Sequence, residues 1–335
     1  MKQSPKTSRI ELVDSPANPM PATGMVQEVV TSDGISLRAA RWLPAVDGGR
    51  GTVCLLLGRG EFIEKHYETV QDLRQRGFHV VSFDWRGQGG SQRFVGSRGI
   101  YKRGHVPAFA GYHRDLDAVF DQVIRRHCPS PFFALGHSMA GALLLQRAAV
   151  TDRQNEFARI VAVSPMIGLS PGISPLLSSR PLASLAISLV RIASAVGLGR
   201  LYIPGGKGRP SVMRPFERNR LTSDKARFLR AAAVVEYAPW IGTGDATIGW
   251  LTQARKLMND LQTPDFARRI TTPVLVVVSG GDTVVSTPVT ERFCARLKAG
   301  NALVIPGARH EILLENDDIR AMFFAAFDAF IPGSA

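Results

Sequence analysis

Short, continuously apolar runs recur along the chain, each followed by a stretch with helical spacing. This alternation limits the folds open to the sequence more than any other feature. Residues 52–57 form one such run, and 78–83, 131–135, 160–163, 273–278 and 302–305 repeat the pattern. A strand that is apolar at nearly every position needs cover on both faces. Helical periodicity fills 63–76, 115–126, 139–150, 288–298 and 319–330. In 115–126, Leu116, Val119, Phe120 and Val123 fall on one side. Strand and helix in turn predict an α/β fold: a mostly parallel central sheet with helices on both faces. Residues 26–31 and 35–43 flank Ser32-Asp33-Gly34, a turn signal that predicts an antiparallel hairpin at the start.

The rhythm breaks between 166 and 250. That segment holds Pro171, Pro175, Pro181, Pro204, Pro210, Pro215 and Pro239, many arginines and few strand signals. It reads as a helical cap insertion, which leaves 26–165 and 251–333 as the α/β core. A chain of 335 residues with 45% hydrophobic content suits one such domain plus an insertion. Residues 1–25, rich in Pro, Ser, Lys and Asn, read as a loose leader. No apolar run follows Lys2, so no secretory signal is expected and a cytoplasmic location is the default. The longest candidate membrane span, 181–203, is interrupted by Arg191, Gly197 and Arg200. Cys54, Cys128 and Cys294 are odd in number, far apart and without metal-ligand spacing, so they read as reduced thiols.

The run 131–135 leads into Gly136-His137-Ser138-Met139-Ala140-Gly141 and then a helix. A serine on a sharp strand-to-helix turn is the nucleophile-elbow arrangement. Small flanking residues avoid steric clash, the hydroxyl projects above the sheet edge, and the free N–H groups of the helix start face developing negative charge. Position 140 is Ala where the G-x-S-x-G pattern has Gly. The structural alternative for Ser138 is a helix-capping serine.

A serine hydroxyl needs a base, and on this fold the chain order is Ser, then Asp or Glu, then His. His310 is the one histidine C-terminal to Ser138 and follows a strand in Pro306-Gly307-Ala308-Arg309-His310-Glu311. Loops at the carboxyl ends of strands are where open α/β sheets bind ligands. The acid belongs after the preceding strand, where Ser279-Gly280-Gly281-Asp282 presents Asp282; Asp260 and Asp265 follow no predicted strand. The structural alternatives are a solvated loop histidine and an Asx-turn aspartate. An oxyanion needs two donors. The main-chain N–H of Met139 is one candidate, and that of Arg59, between Gly58 and Gly60, is the other. His137 reads as packing for the elbow. His66, His79, His105, His113 and His127 show no ligand spacing, and neither a metal nor an organic cofactor is implied.

Four segments together resemble the α/β-hydrolase subgroup of lysophospholipase L2 and the monoacylglycerol lipases, with a hydrolase domain of the serine aminopeptidase S33 kind. They are Gly58-Arg59-Gly60-Glu61-Phe62-Ile63-Glu64-Lys65, Asp84-Trp85-Arg86-Gly87-Gln88-Gly89-Gly90-Ser91, the elbow, and Gly307-Ala308-Arg309-His310-Glu311. The resemblance runs from about 26 to 331, and 242–250 resembles the end of that family's cap. It implies that 84–91 is a conformational loop without chemistry of its own. It also implies a serine hydrolase acting on a lipid with one acyl chain, a lysophospholipid or a monoacylglycerol. Many relatives have His-Gly where this chain has Leu57-Gly58.

The formal net charge of +13 favours anionic partners. Arg209, Arg214, Arg218, Arg220, Lys225, Arg227 and Arg230 lie in the cap with only Glu217 and Asp224 nearby in sequence. A basic cap favours a phospholipid headgroup and peripheral contact with an anionic membrane surface over a neutral glyceride. Leu182, Leu185, Leu189, Ile192 and Val196 share a helical face that suits an acyl tunnel, a membrane contact or plain cap core. Ser138 argues against dehalogenase and epoxide-hydrolase chemistry, which puts Asp at that position. General carboxylesterase, haloperoxidase-like and carbon–carbon hydrolase activities share the triad. A degenerate lipid-binding protein is the non-enzyme alternative. No nucleic-acid motif or aromatic-interleaved basic stretch is present.

Overall fold

A hairpin opens the sheet. Strands β1 (Met25–Val30) and β2 (Ser36–Trp42) run antiparallel, with Met25 opposite Arg41 and Val30 opposite Ser36. The turn closes through Gly34, whose φ of 76° suits a residue without a Cβ. The structure is a computed structural model that describes residues 9–46, 49–95, 102–153, 155–171, 188, 192–194 and 196–332.

Six further strands complete the sheet: β3 (Thr52–Leu56), β4 (His79–Phe83), β6 (Phe132–His137), β7 (Arg159–Val163), β9 (Val274–Ser279) and β10 (Gly300–Ile305). The order is β1-β2-β4-β3-β6-β7-β9-β10. Only the β1–β2 and β2–β4 pairs are antiparallel. Every residue of β3 and β9 is buried, which is why those runs are apolar at almost every position. Helices α1 (Tyr67–Gln75), α2 (Ala110–Val119), α3 (Met139–Ala148), α6 (Thr287–Cys294) and α7 (Asp317–Phe330) connect or close the strands. Their ends carry ordinary stop and start signals. Gly77, at φ 83°, follows α1, with the N–H of Phe78 donating to the Leu73 carbonyl. Asn316 caps α7 by accepting from the N–H of Ile319 at 3.1 Å.

Two expectations need correction. Residues 9–24 are not loose. Val13 is buried beside Phe62, Val212 and Val235, and its N–H donates to Glu64 Oε1 at 3.0 Å. Asn18 Nδ2 donates to the Glu64 carbonyl at 2.8 Å. Asn18, one of the polar residues that suggested disorder, serves here as a partner for buried backbone. The second concerns the end of the segment 166–250, much of which, including 172–187, lies outside the described residues. Among its described residues one longer helix occurs, α4 (Lys225–Tyr237), with short 3-10 turns at Leu198–Arg200, Ser211–Met213, Phe216–Arg218 and Pro239–Ile241. It also holds strand β8 (Thr243–Ala246), which pairs in parallel with β5 (Lys102–Gly104) as a separate ribbon. The boundary at 250 falls in the first turn of helix α5 (Ile248–Leu261). Trp250 is buried there, its ring 5.5 Å from Phe109.

The apolar face read at 182–196 lies mostly outside the described residues; Ile192 and Val196 are exposed. No described helix is long and apolar enough to cross a membrane. The cap's basic residues are less free than local sequence suggests. Arg227 pairs with Glu68, Asp224 and Asp317, Arg230 with Glu68, and Arg214 with Asp245.

A buried ion cluster links hairpin, loop and N-terminal segment. Arg38, with no exposed surface, contacts Glu64 and Asp84 at 2.6 Å each. Its Nη1 also donates to the Glu11 carbonyl at 2.7 Å. Asp84 accepts the N–H groups of Ile63 and Gly90 as well. Removing the only cation among these contacts leaves two carboxylates buried. Arg38→Leu is therefore expected to destabilise the protein by roughly 3–5 kcal/mol in urea titration. A loss below ~1 kcal/mol would mean that the carboxylates find other partners.

Candidate active site

The elbow is steric in origin. Ser138 sits between β6 and α3 at φ 51°, ψ −111°, a conformation that costs a non-glycine residue of order 1–3 kcal/mol. The surroundings hold it there. Its N–H donates to the Val163 carbonyl at 2.9 Å, and its carbonyl accepts from Ala142 and Met166. A Cβ on Gly136 would lie 2.6 Å from Leu144 Cδ1 and 3.0 Å from the Gly141 nitrogen. A Cβ on Gly141 would lie 3.0 Å from the Gly136 carbonyl oxygen. The glycines that meet across the turn are thus 136 and 141. Ala140 is fully buried, and its methyl group is accommodated.

Ser138, His310 and Asp282 lie in one hydrogen-bonded line. His310 Nε2 is 3.0 Å from Ser138 Oγ, and Nδ1 is 2.7 Å from Asp282 Oδ2. A carboxylate opposite Nδ1 puts the imidazole proton there and leaves Nε2 free to accept. Asp282 Oδ1 accepts the N–H groups of Val284 and Val285 at 2.7 and 3.0 Å. Burial opposes its ionisation. The His310 contact and the two N–H groups outweigh that and hold the carboxyl below its usual range. Ser138 is 7% exposed and His310 4%, so little water reaches the pair. Asp260 and Asp265 are not part of this arrangement: Asp265 pairs with Arg268 on the surface.

Gly58-Arg59-Gly60 follows β3. The main-chain N–H groups of Arg59 and Met139 make no hydrogen bond among the described residues. The first is held in place by Gln88, whose Oε1 accepts the Gly60 N–H at 2.8 Å and whose Nε2 donates to the Gly58 carbonyl at 3.1 Å. Trp85 Nε1 donates to the Leu57 carbonyl at 2.7 Å. The loop 84–91 therefore shapes the 58–60 turn through side-chain amide and indole contacts. Gly89 must be glycine for this, because a Cβ there would lie 2.1 Å from the Asp84 carboxyl. The Arg59 side chain turns toward the cap, donating to the Gly244 carbonyl at 2.8 Å over the Trp250 ring.

Beneath the turn lies a group the sequence reading passed over. Glu61 accepts from the N–H of Gly58, from Lys65 Nζ at 3.1 Å and from His137 Nδ1 at 3.2 Å. Lys65 Nζ also reaches Glu311 Oε1 at 2.5 Å. Burial opposes ionisation of Glu61, but Lys65, His137 and His66 hold its carboxyl well below the usual range. The spacing of Glu61 and Lys65, one helical turn apart beside the 58–60 turn, was the available signal.

An open, mostly parallel sheet with a serine elbow and a Ser–His–Asp line at its carboxyl edge defines an α/β-hydrolase. Residues 48–317 match the family described as Serine aminopeptidase, S33, and the chain belongs to it. It is 30% identical to lysophospholipase L2 of Escherichia coli over 83% of this chain and 79% of that protein. It is 26% identical to the monoglyceride lipase of Saccharomyces cerevisiae over 81% of this chain and 80% of that protein. A soluble variant of the Saccharomyces cerevisiae monoglyceride lipase, solved with a substrate analogue, superposes with a TM-score of 0.71 at 22% identity. That match covers 94% of this chain and 98% of the other.

The Gly136–Gly141 approach separates two substitutions. Gly136→Ala is expected to cost about 1–3 kcal/mol through overpacking against Leu144 and the α3 backbone. Ala140→Gly should cost only about 1 kcal/mol, the helix-propensity difference. Urea denaturation of both variants checks this; equal losses would contradict the assignment of the contact to 136 and 141.

Proposed function

We propose that this chain hydrolyses the carboxylic ester of a lipid with one acyl chain, most simply a lysophospholipid, through an acyl-enzyme on Ser138. The observation that carries the reading is the Asp282–His310–Ser138 line at an elbow beside two unpaired N–H groups. In this reading His310 Nε2 takes the Ser138 proton as Oγ attacks the ester carbonyl. Asp282 holds the imidazole in the required tautomer and stabilises the imidazolium. The N–H groups of Met139 and Arg59 receive the oxyanion. Collapse breaks the ester bond, and His310 gives its proton to the departing alcohol. Water, activated by the same imidazole, then frees the fatty acid and restores Ser138.

The segment 166–250 acts as a cap over this edge of the sheet. Arg209, Arg218 and Lys225 are exposed on it. With a net charge of +13 they favour an anionic headgroup or bilayer surface over a neutral glyceride. Monoacylglycerol is the second reading, supported by the similarity to monoglyceride lipases. A degenerate lipid-binding protein accounts poorly for a complete proton relay.

A fluorophosphonate probe is expected to label the wild type and not Ser138→Ala. Asp282→Asn should lower ester turnover by about 10⁴-fold, since the amide favours the wrong tautomer. Absence of labelling under conditions that label another serine hydrolase would refute the catalytic reading. Fatty-acid release from lysophosphatidylcholine exceeding that from monoacylglycerol supports the headgroup preference, and the reverse order rejects it. Sedimentation with vesicles at low salt should be stronger for anionic than for neutral lipid; equal binding would remove the membrane contact.

A further inference from the structure

His137 precedes Ser138 and has no place in the proton relay, yet it is 3% exposed and its ring is engaged on both sides. Nδ1 lies 3.2 Å from Glu61 Oε2, and Nε2 lies 3.1 Å from the main-chain carbonyl oxygen of His310. Both partners are acceptors. A carbonyl has no proton to give, and Glu61 is fixed as a carboxylate by the Gly58 N–H and the Lys65 ammonium. A neutral imidazole has one N–H and would leave one contact with lone pairs facing each other. Only the doubly protonated ring satisfies both.

Charge counting leads to the same state. The buried titratable groups around the ring are Glu61, Glu311, Lys65, His66 and His310, the last paired with Asp282. Two carboxylates face one ammonium. His66 Nε2 is 3.3 Å from Glu61, but neither of its ring nitrogens makes a hydrogen bond among the described residues. One further buried positive charge balances the set, and of the two rings His137, engaged at both nitrogens, is the one placed to carry it.

We propose that His137 is a buried imidazolium that ties the 58–60 turn, through Glu61, to the backbone of His310. It is a positioning residue: it holds the oxyanion donor and the base in register and transfers no proton. The charge assignment rests on contacts alone, whereas the positioning role rests on the hydrolase reading above. Burial pushes the imidazole down, but Glu61 and Glu311 outweigh burial and Lys65 and hold its pKa above the ordinary value. The stabilisation is therefore complete below the unfolded value of ~6.5 and is lost as pH rises through the raised folded value.

Long-range proton–nitrogen NMR of histidine-labelled protein tests the charge directly. The His137 signal is identified by loss in His137→Gln, or in the wild type by through-space contacts to the His310 ring, 4.9 Å away. At a pH just above the ordinary ~6.5, both ring nitrogens should be protonated; one bare nitrogen overturns the proposal. In ester hydrolysis, His137→Gln should lower kcat by roughly tenfold to a hundredfold with little change in KM. It should also abolish the alkaline loss of activity caused by His137 deprotonation. Unchanged kcat with intact fluorophosphonate labelling would refute positioning and leave the hydrolase reading standing. An imidazolium signal in a chain that neither labels nor hydrolyses esters would refute the hydrolase reading and leave the charge assignment standing.

Discussion

The close approach of Gly136 to Gly141 is the contact on which the site is built. It lets β6 pass into α3 with a single residue between them, and that residue is forced to positive φ. Everything nearby follows from this turn. The Ser138 side chain stands at the carboxyl edge of the sheet, and the N–H of Met139 opens a helix and so has no partner in the preceding strand. The neighbouring strands β7 and β9 then supply the Val163 carbonyl that pins the serine and the loop that carries Asp282. The strain in the serine is tolerated because rigid sheet and helix lie on either side of it.

A polar layer under the site fixes the loops that the sheet leaves free. Arg38 joins Asp84 and Glu64; Lys65 and His137 join Glu61 and Glu311. Buried ion pairs of this kind add little net stability, because desolvation offsets the attraction. Their effect is on geometry. Glu64, Glu61 and Asp84 also accept main-chain N–H groups and Glu311 holds Lys65, so a loop cannot shift without leaving a charge unpaired. The residues most sensitive to such shifts are the 58–60 turn and the loop bearing His310. An apolar layer would tolerate sliding in both.

The sheet was legible because its strands announce themselves by continuous apolarity, and the elbow because small residues flank a serine between a strand and a helix. The order Ser138, Asp282, His310 needed only the positions of strands before each loop. Other parts were hidden for physical reasons. Strand β8 is Thr-Gly-Asp-Ala, which holds poor strand formers and pairs through backbone alone. The packed state of residues 9–24 depends on Glu64 and Arg38, which are distant in sequence. The cap looked strongly basic because local counting omits Glu68 and Asp317, which arrive from other elements. Gln88 sits in a segment whose importance was visible, but a side-chain amide that bonds a turn 30 residues away has no periodic signature.

Residues 219–244, part of the proposed cap, are joined to the Ser138 surroundings at two separate points. Arg59, whose own N–H faces the oxyanion position in the proposed reaction, donates its side chain to the Gly244 carbonyl of β8. On the other side, the neighbours of His310 reach the cap: Arg309 Nη1 donates to the carbonyls of Asn219 and Thr222, and the Glu311 N–H donates to the Leu221 carbonyl. Motion of residues 219–244 away from the sheet would therefore pull on the 58–60 turn and the His310 loop together. Glu311 also belongs to the ion layer below. Glu311 thus connects Leu221, through Lys65, to Glu61 and on to His137. Contact of residues 219–244 with the sheet and the spacing of the Ser138–His310 pair are, on this wiring, two aspects of the same packing.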